Sequence, residues 1–393
     1  MMNYKFGICS ALFVLLTACG GRQTSPSQTV NDTLQLRYAQ LLTIVRHQDY
    51  TEATVKNPWK QGATLHRYLL VPANQQLPEG LPQGTVVRTP LTHSLVFTTV
   101  HCAMLLSLQQ ENSIAGVADL KYIKLPWIQQ QVRQGRLADV GDGLNPAVEK
   151  IIDIQPDAIL LSPFENSGGY GRLDDIGIPL VECAEYMEHT PLGRAEWIRF
   201  YGLLFGCEQR ADSLFAAVDS SYQALKSMVP LLSPQLRGRP LPQSGDGNRR
   251  QRSKVLVDKV TGSVWYVPGG RSTIGQMLAD AGANYPWATN DNSGSVPLPF
   301  EAVLEKAQDA DIWLFRYSAD HDITYQELLG EHHGYNQFKA FKNRRAFGCN
   351  VELSPFYEES PFRPDWLLAD FIHILHPEID SLPPLRYYKR VLP

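Results

Sequence analysis

The sequence predicts an α/β protein built as two similar lobes, and three observations carry that reading. The first is the stretch from Gly141 to Asn166, GDGLNPAVEKIIDIQPDAILLSPFEN. Asn145 suits a helix N-cap and Pro146 the first helical position, where a missing N–H costs nothing. Val148, Ile151 and Ile152 then recur at helical spacing until Pro156 stops the helix. Ala158 to Leu161 is a short unbroken apolar run of the kind buried on both faces of a parallel sheet. The second observation is an echo in the C-terminal half. Pro299 to Lys306 makes another short helix, with Phe300, Val303, Leu304 and Ala307 on one face, and Asp311 opens the strand-like run Ile312 to Phe315. Each copy places a glutamate, Glu149 or Glu301, in the first helical turn, and one repeat at so long a separation implies two lobes rather than a solenoid. The third is sustained helical periodicity between Pro191 and Met228, through Trp197, Phe200, Tyr201, Leu204, Leu214, Phe215, Val218 and Leu225, expected to form one stiff helix joining the lobes. Gly202 and Gly206 dent this helix or let another backbone approach it.

Taken in order, the chain opens with Lys5 and an apolar run from Phe6 to Leu16, too short to span a bilayer as a mature helix but right for a signal-peptide core. Leu16, Thr17, Ala18 and Cys19, followed by two glycines, look like a bacterial lipobox, with cleavage before Cys19 and lipid on its thiol. Residues 1–18 are therefore expected to be a signal peptide and 19–35 a lipidated, flexible tether. The first lobe is expected over 36–190. In it Tyr68 to Val71, Thr85 to Arg88 and Leu95 to Thr98 read as strands, His101 to Leu108 as a helix, and Ile114 to Val117 and Ala138 to Val140 as further strands. The bridging helix is expected over 191–228 and the second lobe over 229–393. The second lobe begins in a Pro-, Gly- and Arg-rich loop, Pro230 to Lys254, read as a solvated linker. Val255 to Val257 and Val264 to Val267 follow as strands, and Gly269, Gly270, Arg271 and Ser272 form a turn into a helix through Leu278. Such a glycine turn either cradles an anion at a helix N-terminus or answers only to tight packing. It is no Walker or dinucleotide fingerprint, because the further glycines and the lysine are missing.

The composition narrows the function classes. With 393 residues, 44% hydrophobic and 19% charged, the chain is an ordinary globular mixture, and a net charge of -4 gives no reason to expect nucleic acid. Ten histidines and six cysteines are scattered, without CxxC or HExxH, so no metal site and no cofactor are expected. An envelope location would permit a disulfide among Cys102, Cys183, Cys207 and Cys349. Their spacings form no framework, however, and Cys207 lies in an apolar helical run, which points to buried thiols.

Taken together, the lipobox, NPAVEKIIDIQPDAILL, the GIPLVE segment at Gly177 to Glu182, YMEHTPLGRAEWIRFYGLLFG at Tyr186 to Gly206 and the LPFEAVL echo resemble the substrate-binding lipoproteins of ABC importers for cobalamin, haem and ferric siderophores. The resemblance covers nearly everything after the tether. It implies two Rossmann-like α/β lobes joined by a single long rigid helix, a small-molecule ligand (an iron complex or corrinoid) in the cleft, membrane attachment through the lipid, a periplasmic location, and docking onto the transmembrane subunits of an ABC permease. By motif match, Glu149 and Glu301 are the glutamates that pair with permease arginines. Read on their own residues alone, each is simply favourable beside the positive end of a helix. Two departures stand out: some fifty extra residues precede the first convincing lobe strand, and the 230–254 loop is long.

Cleft residues in such proteins vary with ligand, so position after strands selects the candidates: Thr99, His101, Tyr122, Phe164 and Glu165 in the first lobe, and Arg271, Trp287, Arg316, Tyr317 and Phe356 in the second. Aromatics suit a flat macrocycle and arginines suit acidic groups. His101 reads either as a metal ligand at the top of the cleft or as a hydrogen-bonded structural histidine at a helix start. The rival from another class is an envelope-anchored enzyme or chelatase on the same scaffold. No GxSxG or paired metal motif supports it, and no catalytic residue is assigned.

Overall fold

The computed structural model describes residues 32–165, 169–229 and 252–393. The expected signal peptide, Cys19, most of the tether, Ser167 and the basic loop from 230 to 251 lie outside the described residues.

The described chain begins where the sequence shows no clear pattern. Strands β1 (Asp32–Leu34), β2 (Leu42–Arg46), β3 (Thr51–Lys56) and β4 (Thr64–Pro72) form an antiparallel meander, and β5 (Thr85–Thr89) adds in parallel to β4. Strand β1 falls within the 19–35 span expected as tether. The expected lobe strands Tyr68 to Val71 and Thr85 to Arg88 thus belong, as β4 and β5, to a sheet separate from that of the first lobe, and its β2 and β3 bury only alternate positions in part, which is why their period is weak in sequence.

The first lobe proper follows the sequence reading. Strand β6 (Ser94–Val96), helix α1 (Thr99–Ser107), β7 (Ile114–Val117), α2 (Pro126–Arg133), β8 (Ala138–Asp139), a two-residue ladder of β9 (Gly141–Asp142) with β10 (Asn145–Pro146), α3 (Val148–Ile154), β11 (Ala158–Leu161) and β12 (Leu180–Glu182) succeed one another. The five main strands form one parallel sheet, ordered β12-β11-β6-β7-β8. All four residues of β11 are buried, as its unbroken apolar run requires. The expected cap is displaced: Asn145 and Pro146 pair with the β9 strand, and Ala147 is the residue before α3. Pairing across the Gly141–Pro146 turn satisfies these backbones, so the helix starts two residues later.

The expected bridge is three helices rather than one: α4 (Pro191–Glu196), α5 (Ile198–Leu204) and α6 (Glu208–Met228). Gly206, at φ +65°, takes the left-handed conformation that ends α5. At Gly202 a Cβ would lie 2.6 Å from the Ala211 methyl, so the missing side chain lets α5 fold back against α6. The spanning element is α6, about 31 Å long at 1.5 Å per residue. Its first residue, Glu208, accepts from Arg46 of the first sheet. Near its other end, Tyr222 donates to Asp280 at 2.9 Å and Lys226 reaches Asp280 at 2.6 Å.

The second lobe comprises β13 (Val255–Val257), β14 (Val260–Thr261), β15 (Val264–Pro268), α7 (Thr273–Asp280), β16 (Ser295–Leu298), α8 (Phe300–Ala307), β17 (Ile312–Tyr317), α9 (Tyr325–Glu331), α10 (Lys339–Lys342), β18 (Ala346–Asn350), α11 (Phe356–Glu359), α12 (Pro364–Leu375) and β19 (Tyr388–Arg390). Its main sheet is β13-β17-β18-β19, parallel except for β19. A small antiparallel sheet, β14-β15-β16, flanks it. Trp265 and Trp313, both fully buried, meet at 6.1 Å between ring centroids, and Phe300, Tyr335 and Phe338 close around them. Gly269 and Gly270 settle the question of their turn. A Cβ at either would fall 2.2–2.3 Å from a carbonyl oxygen of Asn292 or Ala288, and the amides of Gly269, Arg271 and Ser272 are all bonded within the protein. Close packing accounts for the glycines, and those amides are not free for an anion.

Two buried glutamates hold the N-terminal segment to the bridge. Glu196 accepts the main-chain N–H groups of Arg37, Tyr38 and Ala39 at 2.7–2.9 Å. Glu188 accepts those of Gln40 and Leu41 and the Trp197 indole N–H at 2.9–3.0 Å. Removing the Glu196 carboxylate strands three donors that no other group reaches. Glu196→Ala is therefore expected to cost at least about 3 kcal/mol, read as a lower urea midpoint at unchanged slope, with Glu196→Gln in between.

Candidate ligand cleft

The carboxyl ends of both parallel sheets face one another. Two contacts bridge the lobes there: Lys124, after β7, meets Glu352, after β18, at 2.6 Å, and the Thr99 hydroxyl, at the start of α1, donates to Glu358 of α11 at 3.1 Å. Ligands of open α/β sheets bind at this end of the strands. On the first lobe a cavity of about 460 Å³ opens here, lined among others by Phe97, Thr98, Asp119, Leu144, Phe164 and Tyr170. Its volume suits a drug-sized ligand. A second cavity of about 150 Å³ lies between the lobes and is walled in part by Val100, Arg316 and Phe356.

Five large apolar side chains stand exposed on this edge, while others, such as Leu77 and Tyr266, are exposed elsewhere. Tyr122 is 64% exposed, Leu144 84% and Phe164 46% on the first lobe, with Leu353 55% and Tyr357 47% on the second. Tyr122, Leu144, Phe164 and Leu353 occupy the segments after β7, β9, β11 and β18, and Tyr357 lies on α11. Leu144, Tyr170 and Arg172 were not singled out from sequence. A leucine inside the Gly- and Asp-rich turn GDGLNP was the available signal for Leu144, because a turn has no folding need for one.

The other candidates divide. Glu165 is exposed beside Phe164, and Arg271 is exposed, 4.0 Å from Asp291. Arg316 makes a bidentate pair with Asp258, at 3.0 and 2.7 Å, and buried Phe356 lies beside it. Trp287 instead packs in the core against Tyr285 with Lys306 over its ring, and Tyr317 is buried, its hydroxyl accepting the Ile323 N–H. Tyr317 is the last residue of β17 itself and Trp287 follows α7, and position in sequence does not reveal that both point into the core.

His101 is completely buried. Its Nε2 lies 3.0 Å from Glu185 and its Nδ1 2.8 Å from the Thr98 hydroxyl, while the Tyr201 hydroxyl donates to the other Glu185 oxygen at 3.2 Å. Both ring nitrogens are thus engaged in the hydrogen-bonded structural arrangement. Among the described residues no group of histidine, cysteine, aspartate and glutamate side chains could hold a metal ion. Cys102, Cys183, Cys207 and Cys349 are free thiols, pushed up by burial.

Glu149 and Glu301 stand in corresponding places. Helices α3 and α8 end only a few residues before a central strand, β11 or β17, so both run antiparallel to it and begin at the cleft edge. Glu301 is exposed. Glu149 is exposed and accepts from Arg172 at 2.6 Å, which draws its carboxyl below the usual range.

Burial pushes the Glu185 carboxyl up, but the charge and hydrogen bond of His101, then Arg194 and its own backbone, outweigh that and leave it below its ordinary value. A carboxyl lowered on folding contributes stability that is whole above the unfolded value and is lost as pH falls through the folded one. Between about pH 5 and pH 3 the wild-type unfolding free energy is therefore expected to fall more steeply than that of Glu185→Gln, which itself starts lower near neutrality. Urea titrations across that range measure the difference.

The comparisons with known proteins agree with this geometry. The family model described as periplasmic binding protein matches residues 98–352. An uncharacterized lipoprotein of Methanocaldococcus jannaschii is 26% identical over 377 residues, covering 90% of this chain and 84% of that one. Among solved structures, an ABC-type Fe3+-hydroxamate transport system from Saccharomonospora viridis superposes with a TM-score of 0.52 at 20% identity, covering 72% of this chain and 92% of the other. A periplasmic heme binding protein from Pseudomonas aeruginosa gives a TM-score of 0.53 at 15% identity, covering 77% and 99%. Two α/β lobes with parallel sheets are the fold these structures share with it, and with the family model spanning most of the chain, this protein belongs to the periplasmic binding protein family.

Proposed function

We propose that the protein is an extracytoplasmic solute-binding lipoprotein of an ABC importer. It captures an iron complex (a siderophore or haem) or cobalamin between its lobes and delivers it to the permease. The observation that carries this reading is that Tyr122, Leu144, Phe164, Leu353 and Tyr357 are all exposed on the facing edges of both lobes. Large apolar side chains kept in water at a cavity mouth cost solubility and serve a ligand or partner. The names of the solved neighbours, for Fe3+-hydroxamate and for heme, support an iron-related cargo, and the lipoprotein relative supports lipid on Cys19. No chemistry on the ligand is assigned, and the protein's part is capture and orientation.

Docking is assigned to Glu149 and Glu301. Both lie beside the cleft mouth rather than inside it, and they project from the positive ends of two matched helices. Reversing both to lysine is expected to abolish uptake in cells where this protein is the sole route, because like charges penalise a wrong partner more than truncation does. Binding, read by calorimetry and by the absorption spectrum with haem and with a ferric hydroxamate, is expected to stay unchanged. Normal uptake by the double variant would end the docking assignment. A loss of binding as severe as the loss of uptake would place the two glutamates in the ligand site. A wild-type protein that binds neither these iron complexes nor cobalamin would overturn the cargo.

A further inference from the structure

The N-terminal sheet β1-β5 lies outside residues 98–352, the span that the family model matches, and the capture described above gives it no part. Two residues of its strand β4 nevertheless grip Glu182, the last residue of β12, at the carboxyl end of the first lobe's edge strand. The Tyr68 hydroxyl accepts the Glu182 N–H at 2.7 Å. His66 stacks on the Tyr68 ring at 4.5 Å between centroids. Its Nδ1 lies 2.9 Å from Glu182 Oε2, and its Nε2 meets the Thr85 hydroxyl of β5 at 2.7 Å. The other carboxylate oxygen, Oε1, accepts the Tyr170 hydroxyl at 2.7 Å. Tyr170 in turn lines the cavity of about 460 Å³ on the first lobe. A continuous chain of hydrogen bonds therefore runs from β5 through His66 and Glu182 to a wall of that cavity.

A carboxylate can only accept, so His66 Nδ1 donates to Glu182, which leaves Nε2 of the neutral ring to accept from the Thr85 hydroxyl. Glu182 is buried, and a buried carboxylate oxygen left without a donor is costly, so the two donors and the carboxylate hold one another in place. Burial and the charge of Glu182 push the Tyr170 phenol up, which keeps it a donor. The backbone bonds around Tyr170 are local: its N–H donates to Asp174 at 2.7 Å, and the Leu173 and Asp174 amides bond to Tyr170 and Gly171. The phenol bond to Glu182 is what ties this turn to the sheet. We infer that the N-terminal sheet belongs to the ligand apparatus, with His66 as a positioning residue that fixes Glu182 and, through it, the Tyr170 wall of the first-lobe cavity. The inference rests on that cavity being part of the ligand site. With its hydroxyl spent on Glu182, Tyr170 offers the cavity its ring, alongside Phe97, Leu144 and Phe164, so this wall suits an apolar part of a ligand.

Hydrogen exchange at the amides of Tyr170, Leu173 and Asp174, followed by mass spectrometry, tests the positioning. In His66→Ala and in Tyr170→Phe these amides are expected to exchange at least about tenfold faster than in the wild type, through loss of one charge-assisted hydrogen bond. His66→Asn, which returns an N–H donor where Nδ1 stands, is expected to restore wild-type exchange. Ile44→Ala, a truncation of a buried side chain on β2 of the same sheet, is expected to leave exchange at these amides unchanged. Tyr170→Phe removes only a hydroxyl and keeps the test valid if His66→Ala folds poorly. Calorimetry with haem, a ferric hydroxamate and cobalamin is expected to follow the same order. The Kd of whichever complex the wild type binds should rise about tenfold in His66→Ala and Tyr170→Phe and return in His66→Asn. Exchange that stays at the wild-type rate in these two variants, or that rises equally in Ile44→Ala, would overturn the positioning. Faster exchange with an unchanged Kd would make His66 a brace of the fold alone and overturn its part in capture. A wild type that binds none of the three complexes would sink the cargo, while the exchange rates would still decide whether His66 holds Tyr170.

Discussion

A carboxylate taken out of water needs donors, and this chain supplies them from its own backbone. Glu196 and Glu188 gather five successive main-chain amides between Arg37 and Leu41, which ties the link between β1 and β2 to the first turns of the bridge. Charge-assisted bonds of this kind are the strong ones. Through them the N-terminal sheet, the first lobe and the bridge act as one body. The second lobe repeats the device at its far end: Asp370 of α12 accepts the amides of Arg386, Tyr387 and Tyr388 at 2.7–3.0 Å and pins the C-terminal strand. Burial raises that carboxyl despite the three amides. From this frame α6 reaches across to Asp280, so the spacing of the lobes is set by a helix bonded at both ends.

Much of the fold was legible because its elements answer to local rules. The apolar run at Ala158 to Leu161 becomes a central parallel strand, and its echo at Ile312 to Phe315 becomes another. The glutamates one turn into α3 and α8 were visible for the same reason, since helix starts and buried strands have signatures a few residues long. What sequence missed depends on long-range contact. The first sheet is only half buried and shows little periodicity. The single bridge broke into three helices because α5 folds back where Gly202 meets Ala211, a contact between turns that periodicity treats as continuous. At the cleft, position after a strand placed Phe164, Arg316 and Phe356 beside cavities but did not separate them from Trp287 and Tyr317, which the chain carries into the core.

The cleft is thus uneven in a way that suits capture. The first lobe offers the larger cavity and three exposed apolar side chains, while the charged groups gather at the junction with the bridge. Lys124 with Glu352 and Thr99 with Glu358 already hold the lobes against each other at the mouth. The exposed Lys124–Glu352 ion pair contributes little, and the Thr99–Glu358 contact is a single hydrogen bond. They can exchange for ligand contacts without disturbing the bridge, and the structure therefore separates a soft, replaceable rim from a stiff frame.

Small-angle scattering of the protein with and without added haem or ferric hydroxamate, the ligands proposed above, tests that separation most directly. A frame fixed by α6 predicts nearly superimposable profiles, with the ligand exchanging rim contacts and the lobes keeping their distance. A marked compaction on binding, of the kind produced by hinge closure, would contradict it and show that the bridge bends.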